Sequence, residues 1–438
     1  MQLILLHLLI AVVVYNFRFT AMFILFGAIV YFLVRIIYNR NRKDEVLLAA
    51  AYITGFEVFS RMTGGAFTYE FAKYAVIMFL TIGMFYRGFK RKSWIYVIYL
   101  LLLIPGILFS AMNLDYDSSV ANAVGFNLSG PVCLGISALY CYDRRMSVTR
   151  LNEIMLSLLL PVISMALYLY LYTPSIKDVL TGTQSNFEAS GGFGPNQVAT
   201  ILGLGMVVLF TRLFIKKQLL LNVIDLSLLA FLSYRAIVTF SRGGVITAGI
   251  CALAFFAVYF LKSSVLQKAV LLPRVAVISV VIVVTWIFTS FNTSGLIDKR
   301  YANQDAAGRE KADLSTGRLE LLNSELEAFY QYPLTGIGVG KVKEFREDQL
   351  GRVSASHNEL SRMLSEHGLS GLMALLILIL TPLVIRLRNK SNVYFYVFFL
   401  FWFLTINHSS MRIAAPAFIY GLALITVING KKKTVIPG

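Results

Sequence analysis

The chain has 438 residues, of which 57% are hydrophobic and only 14% charged, at a mean hydropathy of +0.71, whereas soluble domains carry roughly 25% charged residues. That composition excludes an ordinary soluble domain and predicts an all-α polytopic membrane protein, because helices satisfy their own backbone hydrogen bonds in lipid. The net charge of +17 does not argue for nucleic acid, since the basic residues fall in alternate short loops rather than on one face.

Fourteen apolar runs are long enough to cross a bilayer, with twelve to fourteen as the working range. In chain order they span 2–15, 20–38, 45–61, 68–86, 94–111, 120–141, 150–172, 195–214, 219–240, 245–261, 270–291, 363–387, 392–406 and 413–430. The first resembles a signal-peptide core in length, but no basic residue precedes it and no clear small-residue cleavage site follows. It is read as a short or tilted helix. The connecting loops NRNRK at 39, YRGFKRKS at 86, DRR at 143, RLFIKK at 212, RLRNK at 386 and KKK at 431 are basic. By the positive-inside rule these loops and both termini are expected in the cytoplasm. The opposite side carries the acidic MNLDYDSS at 112, the segment 173–194 and a long loop, 291–362, with ten Lys/Arg against eleven Asp/Glu. A structureless loop of that length is unusual, so it is expected to fold and to function.

Two helix starts are legible in that loop. In SHNE, Ser356 can cap a helix while Glu359 reaches back to the cap amide, which puts His357 at the first helical position. In LSTGRLELLNSELEAF, Ser315 or Thr316 can cap, with Arg318 in the first turn and Leu319, Leu322 and Leu326 on one face. Helix N-termini favour anions, so the two termini bearing Arg318 and His357 could form an anion pocket at the outer surface. At VTFSRGGV, Arg242 sits between two predicted helices beside two glycines that permit close approach. Arg235, seven residues earlier, shares nearly the same helical face if the helix continues. The arginine fork matches phosphate oxygens in bidentate fashion.

Plainer readings stand beside these. Arg242 could snorkel to headgroups, Arg318 could pair with Glu320 or Glu325 at the surface, and His357 could be a structural cap. His367, next to Gly368 at a predicted kink, reads as structural, and Glu57, Glu70 and Lys73 read as inter-helix pairs. His7 and His408 carry no signal. GIGVGK at 336 lacks the Ser/Thr that a nucleotide P-loop needs after its lysine, so it reads as a glycine-rich turn. Cys133, Cys141 and Cys251 are scattered, and no His/Cys/Asp/Glu cluster has zinc-ligand spacing.

TGRLELLNSELEAFYQYPLTGIGVGK followed by HNELSRMLSEHGLSGL, with SRGG at 241 and GGFGPNQVA at 191 before them, resembles the O-antigen ligase and polymerase superfamily. The specific likeness covers roughly 191–372. It implies a GT-C-like helical bundle organised as N-terminal helices (1–190), a catalytic region (191–387) and C-terminal helices with a basic tail (388–438). It further implies a glycosyltransferase of the bacterial inner membrane that works at the periplasmic face without cofactor or metal. The expected partners are an undecaprenyl diphosphate-linked glycan donor, a lipid A-core or glycan acceptor and membrane lipids. Arg242, Arg318 and His357 are implied as catalytic, and Arg235, Asn196, Asn358 and Glu359 are expected to bind substrate, Glu359 being the second candidate for base. The glycines at 368 and 371 fall one residue later than in some ligases, which shifts weight towards a polymerase. A protein oligosaccharyltransferase and a lipid-linked glycan flippase remain alternatives, though a transporter should gather its polar groups near the midplane.

Overall fold

The computed structural model describes residues 1–115, 119–215, 218–311, 317–351, 354, 356–390 and 392–428. Eighteen helices follow one another: α1 (Gln2–Asn16), α2 (Thr20–Asn39), α3 (Glu45–Met62), α4 (Phe71–Arg87), α5 (Trp94–Leu101), α6 (Ile104–Asn113), α7 (Val120–Cys141), α8 (Val148–Tyr172), α9 (Pro195–Ile215), α10 (Leu219–Ile237), α11 (Arg242–Lys262), α12 (Val265–Asn292), α13 (Leu296–Tyr301), α14 (Arg318–Gln331), α15 (Val342–Leu350), α16 (Glu359–Arg388), α17 (Phe395–His408) and α18 (Ala414–Ala423). Among the described residues nine spans are long and apolar enough to cross a membrane, and three shorter apolar helices, α1, α17 and α18, accompany them. The protein is thus an all-α multi-pass membrane protein, as its composition predicts.

Most boundaries fall close to the apolar runs because local chemistry sets them. Ser147 caps α8 by accepting from the Arg150 amide at 3.2 Å, and Ser264 with Gln267 forms a capping box on α12. The run predicted at 413–430 is shorter than expected: α18 ends at Ala423, and Thr426–Ile428 forms a strand, β2, parallel to β1 (Arg145–Ser147). Thr426 bonds both the Arg144 carbonyl and Asp143, a pairing across the whole chain that periodicity cannot reveal.

Helix α3 sits at the centre, with every residue from Glu45 to Ser60 buried. The ion pairs here are local to one helix turn rather than between helices as expected, and the same side chains reach neighbouring helices by hydrogen bonds. Glu57 bonds Arg61 at 2.5 Å and accepts from the α18 amide of Ala414 at 2.6 Å, while Lys73 on α4 bonds Glu70 and reaches Ser129 on α7 at 3.0 Å.

Candidate active site

The site grows from helix starts gathered at the end of the bundle opposite the basic loops. A Cβ on Gly244 would lie 2.2 Å from the Ala199 carbonyl, so only glycine allows α11 to lie against α9. That contact brings the two helix starts together, where Ser241 donates to Asn196 at 2.7 Å. Beside it, Gln197 accepts from Arg61 at 3.0 Å and donates to Tyr69 at 2.8 Å. Arg242, the first residue of α11, donates to Asn303 and to the Arg300 carbonyl, and Arg300 donates to the Phe240 carbonyl at 3.1 Å. The loop after α12 is thereby tied to the SRGG turn.

The second part is the kinked α16. Its cap differs from the sequence reading: Asn358, not Ser356, accepts from the Leu360 and Ser361 amides at 2.8 and 3.3 Å, and Ser356 donates to the Asn358 carbonyl instead. His357 therefore precedes the cap rather than opening the helix, because the shorter Asx geometry of Asn358 satisfies the free amides first. At Gly368 the backbone takes φ 57° and ψ −134°, a region restricted to glycine. The GIGVGK turn plugs this kink, since the Ile337 and Gly338 amides bond the Ser365 and Glu366 carbonyls at 2.9 and 3.2 Å. It acts as a turn that supports α16, and His367 is wholly buried at the same kink.

A cavity of about 240 Å3 opens among Arg318, Leu322, Glu325, His357, Asn358 and Asn407. Arg318 begins α14 after Gly317; the expected caps Ser315 and Thr316 lie outside the described residues. Among the described residues, Arg242, Arg300 and Arg318 form no ion pair with a carboxylate. The closeness of these guanidiniums shows in their acidity. Burial and the Arg242 charge lower Arg318, and burial with Arg242 and Arg318 lowers Arg300. Lys311 is lowered by burial, Arg300 and Arg242. His357 is pushed down to about 4 by burial, followed by Arg412, Arg318, Arg346 and His408, and among the described residues its Nδ1 has no hydrogen-bond partner.

Two carboxylates near the cavity are already engaged. Glu325, raised by burial, bonds Arg346 and Ser361. Glu359 is buried, bonds Arg362 and accepts from the Met411 amide at 3.3 Å. Arg235 stands apart: it is fully buried, one Nη donates to the Ala189 carbonyl at 3.0 Å, and its other two nitrogens have no partner. Among the described residues no group of three His/Cys/Asp/Glu could hold a metal.

Five residues here escaped the sequence reading. Arg300 lies on α13 and Lys311 in the segment after it; Asn407 and His408 end α17, and Arg412 lies in the α17–α18 turn. Arg412 donates to the Ser356 carbonyl at 2.7 Å, and a Cβ on Gly243 would lie 2.3 Å from the His408 ring. Arg412 did offer a signal, as a basic residue at a helix end where positive-inside patterning puts few.

No curated protein and no solved structure matches the chain. Residues 227–376 match the family model for O-antigen ligase, Wzy_C, a stretch that contains Arg242, Arg318 and His357. This match, over about a third of the chain, supports the likeness to the O-antigen ligase and polymerase superfamily that the sequence motifs carry.

Proposed function

We propose that the protein transfers a glycan from undecaprenyl diphosphate to an acceptor hydroxyl, lipid A-core in the first instance, at the periplasmic face of the inner membrane. One observation carries this reading: three guanidiniums that have no carboxylate partner among the described residues converge beside a histidine held neutral. Uncompensated cations near a bilayer call for an anion, and a diphosphate supplies paired oxygens for arginine forks.

In this reaction the acceptor oxygen attacks the anomeric carbon as the bond to the diphosphate oxygen breaks. The bonding pair leaves on the diphosphate, where Arg242, Arg300 and Arg318 stabilise the growing charge. His357 takes the acceptor proton, and attack opposite the leaving group inverts the anomeric centre. Its depressed pKa keeps it available as a base at neutral pH. Asn358 and Asn407, joined at 3.3 Å, line the cavity where the acceptor sugar would lie, and Asn196 is the expected contact beside Arg242. Glu359, engaged by Arg362, serves His357 by fixing the start of α16. Arg235 contributes by holding the 189 segment beside α10.

The test uses purified protein in nanodiscs with undecaprenyl diphosphate-linked glycan, offered separately to lipid A-core and to a second lipid-linked unit. A single glycan on lipid A-core establishes a ligase. A ladder on the carrier establishes a polymerase, the second reading favoured by the glycine spacing at 368 and 371. His357→Ala is expected to slow either transfer by about 100-fold or more while leaving donor binding within a few-fold. Full activity of that variant would remove His357 from the mechanism.

A further inference from the structure

We propose that a second site, on the basic-loop side of the bundle, binds one anionic phospholipid, with its acyl chain between α1, α2, α3 and α8 and its phosphate between Arg35 and Arg150. The proposal is independent of the catalytic reading. Only its assignment to the cytoplasmic leaflet rests on the positive-inside orientation.

The cavity between these helices measures about 610 Å3, far larger than the voids a packed interior tolerates. Its walls are apolar along most of their length, with Ile24, Phe32, Leu48 and Leu160 among them. Leu3, Leu6 and Tyr31 on its rim are exposed, so it is reached from the surrounding membrane. Away from Arg150, the polar groups in the trough are satisfied: His7 bonds the Leu3 carbonyl at 2.8 Å and the Tyr52 hydroxyl at 3.1 Å. Water would find little to bind there, whereas an acyl chain would meet matching walls.

Charge selects the class of lipid. Helix α2 runs towards the basic loop at 39–43 and α8 runs away from the one at 143–145, so Arg35, near the end of α2, and Arg150, near the start of α8, lie at the same end of the cavity. From Arg35 to Ile24 and from Arg150 to Leu160 the helices rise about 15 Å, which leaves an apolar trough below a cationic mouth. Arg35 donates one bond to Tyr31 at 3.1 Å, and Arg150 donates one to Glu153 at 2.5 Å. The Nε and second Nη of Arg150 are buried and have no hydrogen-bond partner among the described residues. A headgroup phosphate accepts from both arginines, with a small rotation of Arg150 towards the mouth; a zwitterionic headgroup brings its own cation to the same place. An apolar helix of a second copy would leave these nitrogens unanswered.

The experiment is native mass spectrometry of the full chain released from nanodiscs containing equal amounts of phosphatidylglycerol and phosphatidylethanolamine. One phosphatidylglycerol should be retained at least about fivefold over phosphatidylethanolamine. The preference should vanish in Arg35→Gln/Arg150→Gln. Gly27→Leu should lower retention of both lipids; no heavy atom lies within 4 Å of a Cβ at this wall position, so the leucine enters open space. Equal retention of the two lipids by the unaltered protein, or no retained lipid, overturns the proposal without reliance on any variant. A preference that survives the double substitution also overturns it, and unchanged retention in Gly27→Leu overturns the placement of the chain.

Discussion

Burial first, and then the positive charges around it, hold His357 neutral, and this gives the proposed base a pH signature. A pKa of about 4 in the folded protein, against an ordinary value near 6.5, means that the imidazole is unprotonated throughout the neutral range. It becomes cationic, and useless as a base, only as pH falls through about 4. The acid limb of kcat/KM for transfer should therefore lie well below that of an unperturbed histidine. Arg412 stands first among the charges that depress it, and it also donates to the carbonyl of the preceding residue. Arg412→Gln removes that charge while keeping a donor, so its acid limb should move up towards 6.5, and the variant should lose more activity at pH 5.5 than at pH 8. The measurement is kcat/KM from pH 4.5 to 8.5 for both proteins. A loss independent of pH would leave Arg412 with a purely structural part.

The kink of α16 carries the GIGVGK turn beneath the helix start that follows His357, and it depends on one backbone conformation. Gly368 combines φ 57° with ψ −134°, and a Cβ there would lie 2.6 Å from the Gly336 amide nitrogen. Gly368→Ala should cost about 3 kcal/mol or more, from backbone strain and from the contact together. In detergent this reads as a clear fall in Tm, with transfer lost in proportion to the displaced turn; an unchanged Tm would show that the kink tolerates a side chain. This kink was legible from sequence, as was the character of nearly every helix, because apolar runs and glycines act locally; α11 begins three residues before the run expected at 245, and Gly317 rather than Ser315 or Thr316 precedes the first residue of α14. The cap at Asn358 was not, since Ser356 and Asn358 both satisfy the local pattern and only the folded turn chooses between them. Arg300 and Arg412 were hidden for another reason. Their place beside Arg318 and His357 arises from packing between segments far apart in the chain, as does the strand at Thr426–Ile428 that shortens α18.

Across the whole molecule, buried charge is concentrated where the candidate site lies. Glu57 with Arg61, Lys73 with Glu70, and Arg362 with Glu359 and Glu366 are all paired within the bundle. Removing one partner of such a pair would leave an uncompensated charge and cost several kcal/mol. Hydrogen bonds from the same side chains to Ala414, Ser129 and Asn127 pin α3, α4, α7, α16 and α18 around the helix starts, so the arginines of the site can lack carboxylate partners among the described residues without loosening the body. The proposed donor further requires that this end face the periplasm, the orientation that the positive-inside rule predicts from the basic loops at the opposite end. Sidedness is testable in the chain as it stands, because Cys133, Cys141 and Cys251 are all buried and leave a quiet background for thiol labelling. Arg309, whose side chain is 82% exposed, belongs to the loop after α12; Arg42 is exposed in the basic loop after α2. In spheroplasts, Arg309→Cys should react with a membrane-impermeant maleimide, whereas Arg42→Cys should react only after the membrane is permeabilised. The reverse pattern would turn the arginine cluster towards the cytoplasm, away from any glycan carrier presented on the outer leaflet, and the proposed transfer would fall with it.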